Sequence, residues 1–498
     1  MNALQPYPAY KDSGAEWLGE VPEHWRVRRV ATVADLAVSN VDKHVREGES
    51  PVRLCNYLDV YHNERIGAHL PFMAGTATER EIRKFRLAVG DVLITKDSED
   101  WSDIGVPALV DYAAQDLVCG YHLAMLRPDG ASLAGGYLFQ ALKDSHVAWQ
   151  CQVAAAGVTR YGLSRNAIRS MRIPLPPLPE QTAIARFLDD ADRRIRRYIR
   201  AKERLIELLE EERRATIHEA VTGRIDVRTG QPYPAYKDSG VEWLGQVPEH
   251  WEVRRVKHAV RTSSKGIQIG PFGSSLTQLR GEDTGYKLYG QEHTISGDFR
   301  RGSRWITQDQ FRQLRHYELL PDDVVLTRKG SLGKCRLVPR GLQRGIMDSD
   351  TIRVRLDPTI VDQEFMVILL HRATYLRSQI EGVRRGAVLG GLNTSTIANL
   401  ATVLPPMGEQ KEIKAKIGRF LDHIGSKTDA VARQIALLRE YRTRLIADVV
   451  TGKLDVREAA ADLPETAPLA DDRARPDAIP AEPNPHSTER DMMKEAIP

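Results

Sequence analysis

Cysteine is scarce in this chain. Four residues in 498, Cys55, Cys119, Cys151 and Cys335, form no CxxC pair and have no histidine at ligand spacing, which argues against a zinc site or a disulfide framework. No apolar run nears the roughly 18 residues of a membrane span, and the polar opening MNALQPYPAY does not read as a signal peptide, so a cytoplasmic location is expected. No glycine-rich nucleotide fingerprint follows a strand. The string Gly330-Ser331-Leu332-Gly333-Lys334-Cys335 fails the phosphate-loop pattern, with Arg328 at the first glycine position and Cys335 at the Ser/Thr position. Pro321-Asp322-Asp323 lacks the Glu-x-Lys follower that a metal-dependent nuclease needs, and no Asn/Asp-Pro-Pro-aromatic string marks an amino-methyltransferase. No catalytic residue, metal or cofactor is therefore expected on this chain itself.

What the chain has in abundance is itself. Gln5 to Gly14 (QPYPAYKDSG) returns letter for letter as Gln231 to Gly240, and Val21 to Trp25 returns as Val247 to Trp251. Further on, Gly157, Gly162, Leu163 and Ile168 match Gly386, Gly391, Leu392 and Ile397, and the match runs through Pro177 and Glu180-Gln181 (Pro406, Glu409-Gln410) to Thr222-Gly223 and Asp226-Val227-Arg228 (Thr451-Gly452 and Asp455-Val456-Arg457). Such a period is far too long for a solenoid, so each half must be a complete domain. Between the repeated blocks no repeat is visible, which reads as one framework presenting two different recognition surfaces.

From Glu180 to about Val221 there is neither proline nor glycine, and apolar residues at Ile184, Leu188, Ile195, Leu205 and Leu209 make a coiled-coil stripe. The second copy keeps the register with Ile413, Ile417, Ile424, Val431, Leu438 and Leu445, broken by Gly418 and Gly425. A helix of about 42 residues is roughly 60 Å long, more than a globular domain needs, so the two helices are expected to pair antiparallel as a spacer. Formal charge is uneven: the +4 total divides into eleven acids against five bases from Asp455 onward and about +10 before it, which suits a polyanionic partner.

The expected fold is α+β: two tandem, pseudo-two-fold-related α/β domains separated by two long helices forming an antiparallel coiled coil. The boundaries read as 1–178 for the first domain, 179–223 for the first spacer helix, 224–405 for a linker and the second domain, 406–452 for the second helix, and 453–498 for a disordered acidic tail. A further helix is expected over Gln363 to Ile380. Trp17, Trp25, Trp243 and Trp251 fall in the repeated leaders, serve both halves alike, and read as packing anchors.

The leader YKDSGxEWLGxVPEHWxVRR, the strings GDVLITKDSEDWSDIGVPALV and CGYHLAMLRP, the strings IGPFGSSL and MDSDTIRVR, and the Pro-Pro-x-x-Glu-Gln helix openings resemble the specificity (S) subunit of type I restriction-modification systems, over almost everything up to Arg457. The resemblance implies a non-catalytic subunit whose halves read the two parts of a bipartite double-stranded DNA target. It would dock two methyltransferase (M) subunits that bind S-adenosylmethionine and methylate adenine. Two restriction (R) subunits using ATP and Mg join such a core, unless the complex is modification-only. The alternative from the residues alone is a coiled-coil scaffold that reads no DNA. The interior strings and the loops 158–165 and 383–393 supply the candidate DNA contacts: Lys96, His122, Arg160, Tyr161 and Arg165 in the first half, and Lys265, Arg328, Lys329, Lys334, Arg384, Arg385 and Asn393 in the second.

Overall fold

The structure is a computed structural model. It describes residues 4–463 except 263–264, 273–278, 281–284, 330–332 and 386–391, with the backbone alone for 279–280 and 383–385. Two continuous helices dominate, Leu178–Thr222 with 45 residues and Met407–Val450 with 44. Strong helix formers run through both. Gly223 (φ +71) and Gly452 (φ +79) end them in the left-handed conformation that glycine adopts without a Cβ penalty.

The chain divides into two compact units, and the division crosses both helices. One unit holds residues 1–203 with 432–498, the other 204–431. Each unit thus combines one leader and recognition domain with the first part of one helix and the last part of the other, rather than following the contiguous segments expected from sequence. The reason is in the cores. In the first unit Tyr7, Val21 and Trp25 of the leader pack with Ile184 and Leu188 of the first helix and with Ile446, Val449 and Val450 of the second. In the second unit Tyr233, Val247 and Trp251 pack with Ile217 and Val221 of the first helix and Ile413 and Ile417 of the second. Within the first unit the helices run antiparallel: Asp192 meets Arg442, whereas further along Lys202 Nζ donates to Gln434 Oε1 at 2.7 Å.

The repeated motifs interlock. Buried Glu180 accepts hydrogen bonds from Trp25 Nε1 (2.9 Å) and Tyr7 Oη and pairs with His24 Nε2 (2.8 Å). Burial first, and this bond second, push the Tyr7 phenol far above its usual range. Glu409 repeats the clamp with Trp251 Nε1 at 2.6 Å and His250 Nε2 at 2.9 Å. The adjacent Gln181 ties the helix start to the domain, accepting from Ala134 N and donating to the carbonyls of Ser132 and Pro176. Gln410 does the same through Asp362 N, Ile360 O and Pro405 O.

The interiors, unlike in sequence, are alike in topology. In the first unit the strands Ala34–Val38, Leu123–Pro128, Val92–Thr95 and Pro107–Val110 lie side by side in that order, with Arg65–Ile66 added at the edge. In the second, Ile267–Ile269, Thr351–Val354, Val324–Thr327 and Cys335–Leu337 lie in the same order. A second sheet also repeats: Leu117–Cys119 runs parallel to Ser50–Cys55, and Gly345–Met347 runs parallel to Tyr286–Tyr289. Strands Val92–Thr95 and Val324–Thr327 are buried at every position, so a continuous apolar run replaces alternation.

Several expectations change in detail. The helix expected over Gln363 to Ile380 is two, Gln363–Arg372 and Thr374–Arg385, broken where Ala373 turns extended (ψ 120); Asp144 (ψ 131) breaks the corresponding pair in the first unit. The stripe residues Ile184, Leu188, Ile195, Leu209, Ile413, Ile417, Ile424, Val431 and Leu445 are buried and Leu438 is partly so, but Leu205 is 42% exposed. Ile199, buried, and Ile206, partly so, lie on the seam instead, because steps of four and three from Ile195 land there. Residues 453–463, within the span expected to be disordered, are folded: Asp455 pairs with Gln5, and Arg457–Ala461 is helical. The remainder of that tail lies outside the described residues. Of the four leader tryptophans, Trp25 and Trp251 are wholly buried, while Trp17 is partly buried and Trp243 is 51% exposed. Among the described residues no helix is long and apolar enough to cross a membrane.

A buried charge cluster fastens the first unit to its helices. Glu64 receives Lys143 Nζ (3.0 Å), Arg442 (2.6 Å) and Arg196. Arg196 also holds Asp192, and Arg65 bridges Asp111 to Asp189. Burial pulls the Lys143 ammonium below its usual range, and Glu64 and Asp192 offset part of this. In the repeat the positions of Asp189, Asp192 and Arg196 are taken by Gly418, Leu421 and Gly425, so this fastening belongs to one unit alone.

Candidate nucleic-acid interface

In both halves the leucine that follows the repeated loop meets the end of the same buried strand, and the same backbone hydrogen bonds make the match residue by residue. Lys96 N donates to His122 O at 2.9 Å, and Arg328 N to Asp350 O at 2.9 Å. Leu163 N donates to Lys96 O at 2.8 Å, and Leu392 N to Arg328 O at 2.9 Å. Lys96, Asp97, His122 and Leu163 therefore correspond to Arg328, Lys329, Asp350 and Leu392. The frame is shared, and the side chains it presents differ.

In the first half this corner gathers Lys96, His122, Arg160 and Tyr161. Lys96 Nζ and His122 Nδ1 both meet the Asp97 carboxylate, at 2.8 Å and 2.6 Å, and Arg160 Nη2 lies 3.4 Å from His122 Nε2. Burial works against the Asp97 charge, but the bonds from Lys96 and His122 outweigh it and hold the carboxyl below its usual range. Tyr161–Gly162 pairs as a short strand with Asp97–Ser98. Gly157 allows the loop to fold back on itself, since a Cβ there would lie 2.0 Å from Arg160 O. His122 adopts φ 70, a left-handed conformation that a side chain disfavours, and the exposed Tyr121 ring lies 3.7 Å from its imidazole. Arg165 is exposed, opening the helix Arg165–Ser170.

In the second half the corner gathers Arg328, Lys329, Lys334 and Asn393 in different roles. The Arg328 guanidinium is spent on the carbonyls of Leu392 (3.3 Å) and Ser349 (3.2 Å), stitching the loop to the sheet. Asn393 caps the helix Thr394–Asn399 by accepting from Thr396 N at 2.7 Å. Lys329, 56% exposed, pairs with Asp350 at 2.8 Å. Lys334 is exposed, its carbonyl accepting from Thr327 N. Lys265 is elsewhere: it precedes the strand end where Ile267 pairs with Val354, whereas the corner is at the Ile269–Ile352 end. The side chains of Arg384 and Arg385 lie outside the described residues.

Sequence reasoning passed over Asp97, Tyr121 and Asp350, whose roles depend on partners distant in the chain. It also passed over Gln150 and Gln379, each of which brackets the strand returning to the long helix by a pair of backbone bonds, at 2.9 Å with Arg172 and at 2.8–2.9 Å with Ala401. No motif marks a single glutamine in that job.

Residues 71–208 match the family model of the type I restriction modification DNA specificity domain. The putative type I restriction enzyme MjaX specificity subunit of Methanocaldococcus jannaschii is 21% identical over 445 residues, spanning 88% of this chain and 96% of its own. Over these lengths the chain is similar to the type I restriction-modification specificity subunits. Solved structures share the fold. A chain solved in work on complex assembly and conformational transition of the type I R-M system matches at TM-score 0.63 and 16% identity, covering 87% of this chain and 99% of its own. The HsdS subunit from Thermoanaerobacter tengcongensis matches at TM-score 0.52 and 16% identity, covering 87% and 98%. The two corners thus lie in the two halves of a fold shared with these solved chains.

Proposed function

We propose that this chain is the sequence-specific DNA-binding subunit of a type I restriction-modification complex, each half reading one part of a bipartite target and neither performing chemistry. The observation that carries the reading is the corner built twice on identical backbone bonds and furnished with different side chains. A fold that needed the corner only for packing would have no reason to vary it, whereas a reader of two unlike half-sites must.

Two copies of one methyltransferase subunit are the partners this reading requires, and the repeated leaders support it. Lys11, Glu16, Glu23 and Arg28 are exposed, and so are Lys237, Glu242, Glu249 and Arg254. Neither burial nor target choice explains identical exposed letters in two halves with unlike interiors; binding the same protein twice does. S-adenosylmethionine, ATP and Mg would then act on partner subunits, and a restriction subunit, where present, would join the same core.

The test is a genome-wide map of methylated adenines in cells carrying the chain with its neighbouring methyltransferase, against cells lacking only the chain. A two-part motif with a fixed gap that disappears on deletion is expected; an unchanged map refutes the reading. A scaffold that reads no DNA would also differ in salt dependence, because neutralising several phosphates makes binding weaken steeply with ionic strength.

A further inference from the structure

The corners differ in charge order as well as in residues, and this inference rests on the DNA-reading function proposed above. In the first half the acid, Asp97, follows the buried strand, and the imidazole it holds, His122, precedes the neighbouring strand. In the second half the base, Lys329, follows the strand and the acid, Asp350, precedes the neighbour. An acid holds a basic side chain in both corners, and their order along the strands is reversed.

That order decides what each corner offers. Asp97 lies 2.6 Å from His122 Nδ1, and the guanidinium of Arg160, which can only donate, faces Nε2, so the ring is placed with Nε2 as the acceptor. Arg160, exposed and at a long 3.4 Å, is easily displaced from that nitrogen. The backbone of His122 is held at φ 70, a conformation that a side chain disfavours and that clusters at functional sites. Tyr121, 48% exposed against the ring, completes a rigid surface. Lys329 offers only N–H donors, steadied by Asp350.

We propose that the two corners read bases with opposite hydrogen-bond polarity. His122 Nε2 accepts from the exocyclic amine of an adenine or cytosine in the first half-site, and the Lys329 ammonium donates to guanine O6 and N7 in the second. Asp97 is a positioning residue that fixes the imidazole tautomer.

The test is competition binding by the full chain assembled with its methyltransferase partner. The competitors are duplexes carrying its methylation motif with one base at a time replaced by an analogue: purine or 2-pyrimidinone, which lack the amine, and 7-deazaguanine, which lacks N7. One amine deletion in the first half-site is expected to cost the wild type about fivefold or more, and to cost His122→Gly nothing further. Glycine also relieves the backbone strain, so folding is not at risk there. Asp97→Asn should lose discrimination at the same base. Lys329→Met, at an exposed position, should become indifferent to one 7-deazaguanine in the second half-site and keep full discrimination in the first. Uniform weakening across all duplexes, or unchanged sensitivity to every analogue, overturns the proposal. A wild-type assembly with no preference among the duplexes refutes DNA reading itself, so the two failures are distinguishable.

Discussion

Replacing Glu180 with alanine should be among the most damaging single changes in the first unit. Its carboxylate is the acceptor for Trp25 Nε1 at 2.9 Å and for Tyr7 Oη, in residues 0% and 3% exposed. Alanine strands both donors. Each buried, unpaired donor costs about 1–3 kcal/mol, so the loss should be about 4 kcal/mol. Glu180→Gln keeps an acceptor oxygen in place and loses only the charge assistance of the bonds, which puts its cost at about 1–2 kcal/mol. Urea unfolding followed by tryptophan emission measures both. A double-mutant cycle then isolates the clamp: in a Trp25→Phe background, which lacks one donor, Glu180→Ala should cost less by about 1–3 kcal/mol. If alanine and glutamine cost the same within about 0.5 kcal/mol, or the cycle shows no coupling, the clamp does not hold the leader to the helix.

Gly452→Ala should cost about 2 kcal/mol or more, because φ is +79 and the new Cβ would lie 2.3 Å from Pro22 Cδ. Gly19→Ala, at φ +67 with open space around it, should cost only the backbone strain of about 1 kcal/mol, and equal losses in urea unfolding would refute the packing argument. Burial foremost, then Arg372 and Arg336, lower the His371 pKa from 6.5 to about 4. Between those values the unfolded chain binds the extra proton, so stability should fall as pH drops from 6.5 to 4, and the contribution of His371 is lost in full below 4. His371→Gln should flatten that limb in pH-dependent unfolding, and parallel curves would count against it. Seven residues inserted into each long helix add about 10 Å, which should lengthen the gap in the methylation motif by roughly 3 base pairs; an unchanged gap rules out a ruler.

The two long helices and the twofold plan were legible because identity at Gln5–Gly14 and Gln231–Gly240 and the 3–4 spacing of apolar residues are local signals. The topology of the interiors was not, because a match as short as Val92–Thr95 (VLIT) with Val324–Thr327 (VVLT) is too brief to align two halves whose remaining letters differ. Leu205 was misplaced on the seam for a related reason: Ile206 is its neighbour, and a one-residue choice between two aliphatics turns on the helix phase that packing fixes. Of the corner, the basic residues could be picked from the sequence. The acids that orient them could not, since Asp97 and His122 are brought together only by strand pairing. The Arg328 and Asn393 side chains looked like DNA contacts because guanidinium and amide groups bind bases and backbone carbonyls equally well, and here the nearer backbone takes both.

The pairing of Gln5 with Asp455 has a topological meaning. Gln231 pairs with Asp226 in the same way, but there a tight covalent turn joins the two residues. One junction of the molecule is thus closed by peptide bonds and its twin by contact alone. A chain opened within the turn at Thr229–Gly230 and sealed by a short link from Asp455 to Gln5 would keep the contacts described for either unit, apart from those of the segment that follows Asp455. The order in which the halves are written along the polypeptide is therefore a matter of where a ring happens to be cut.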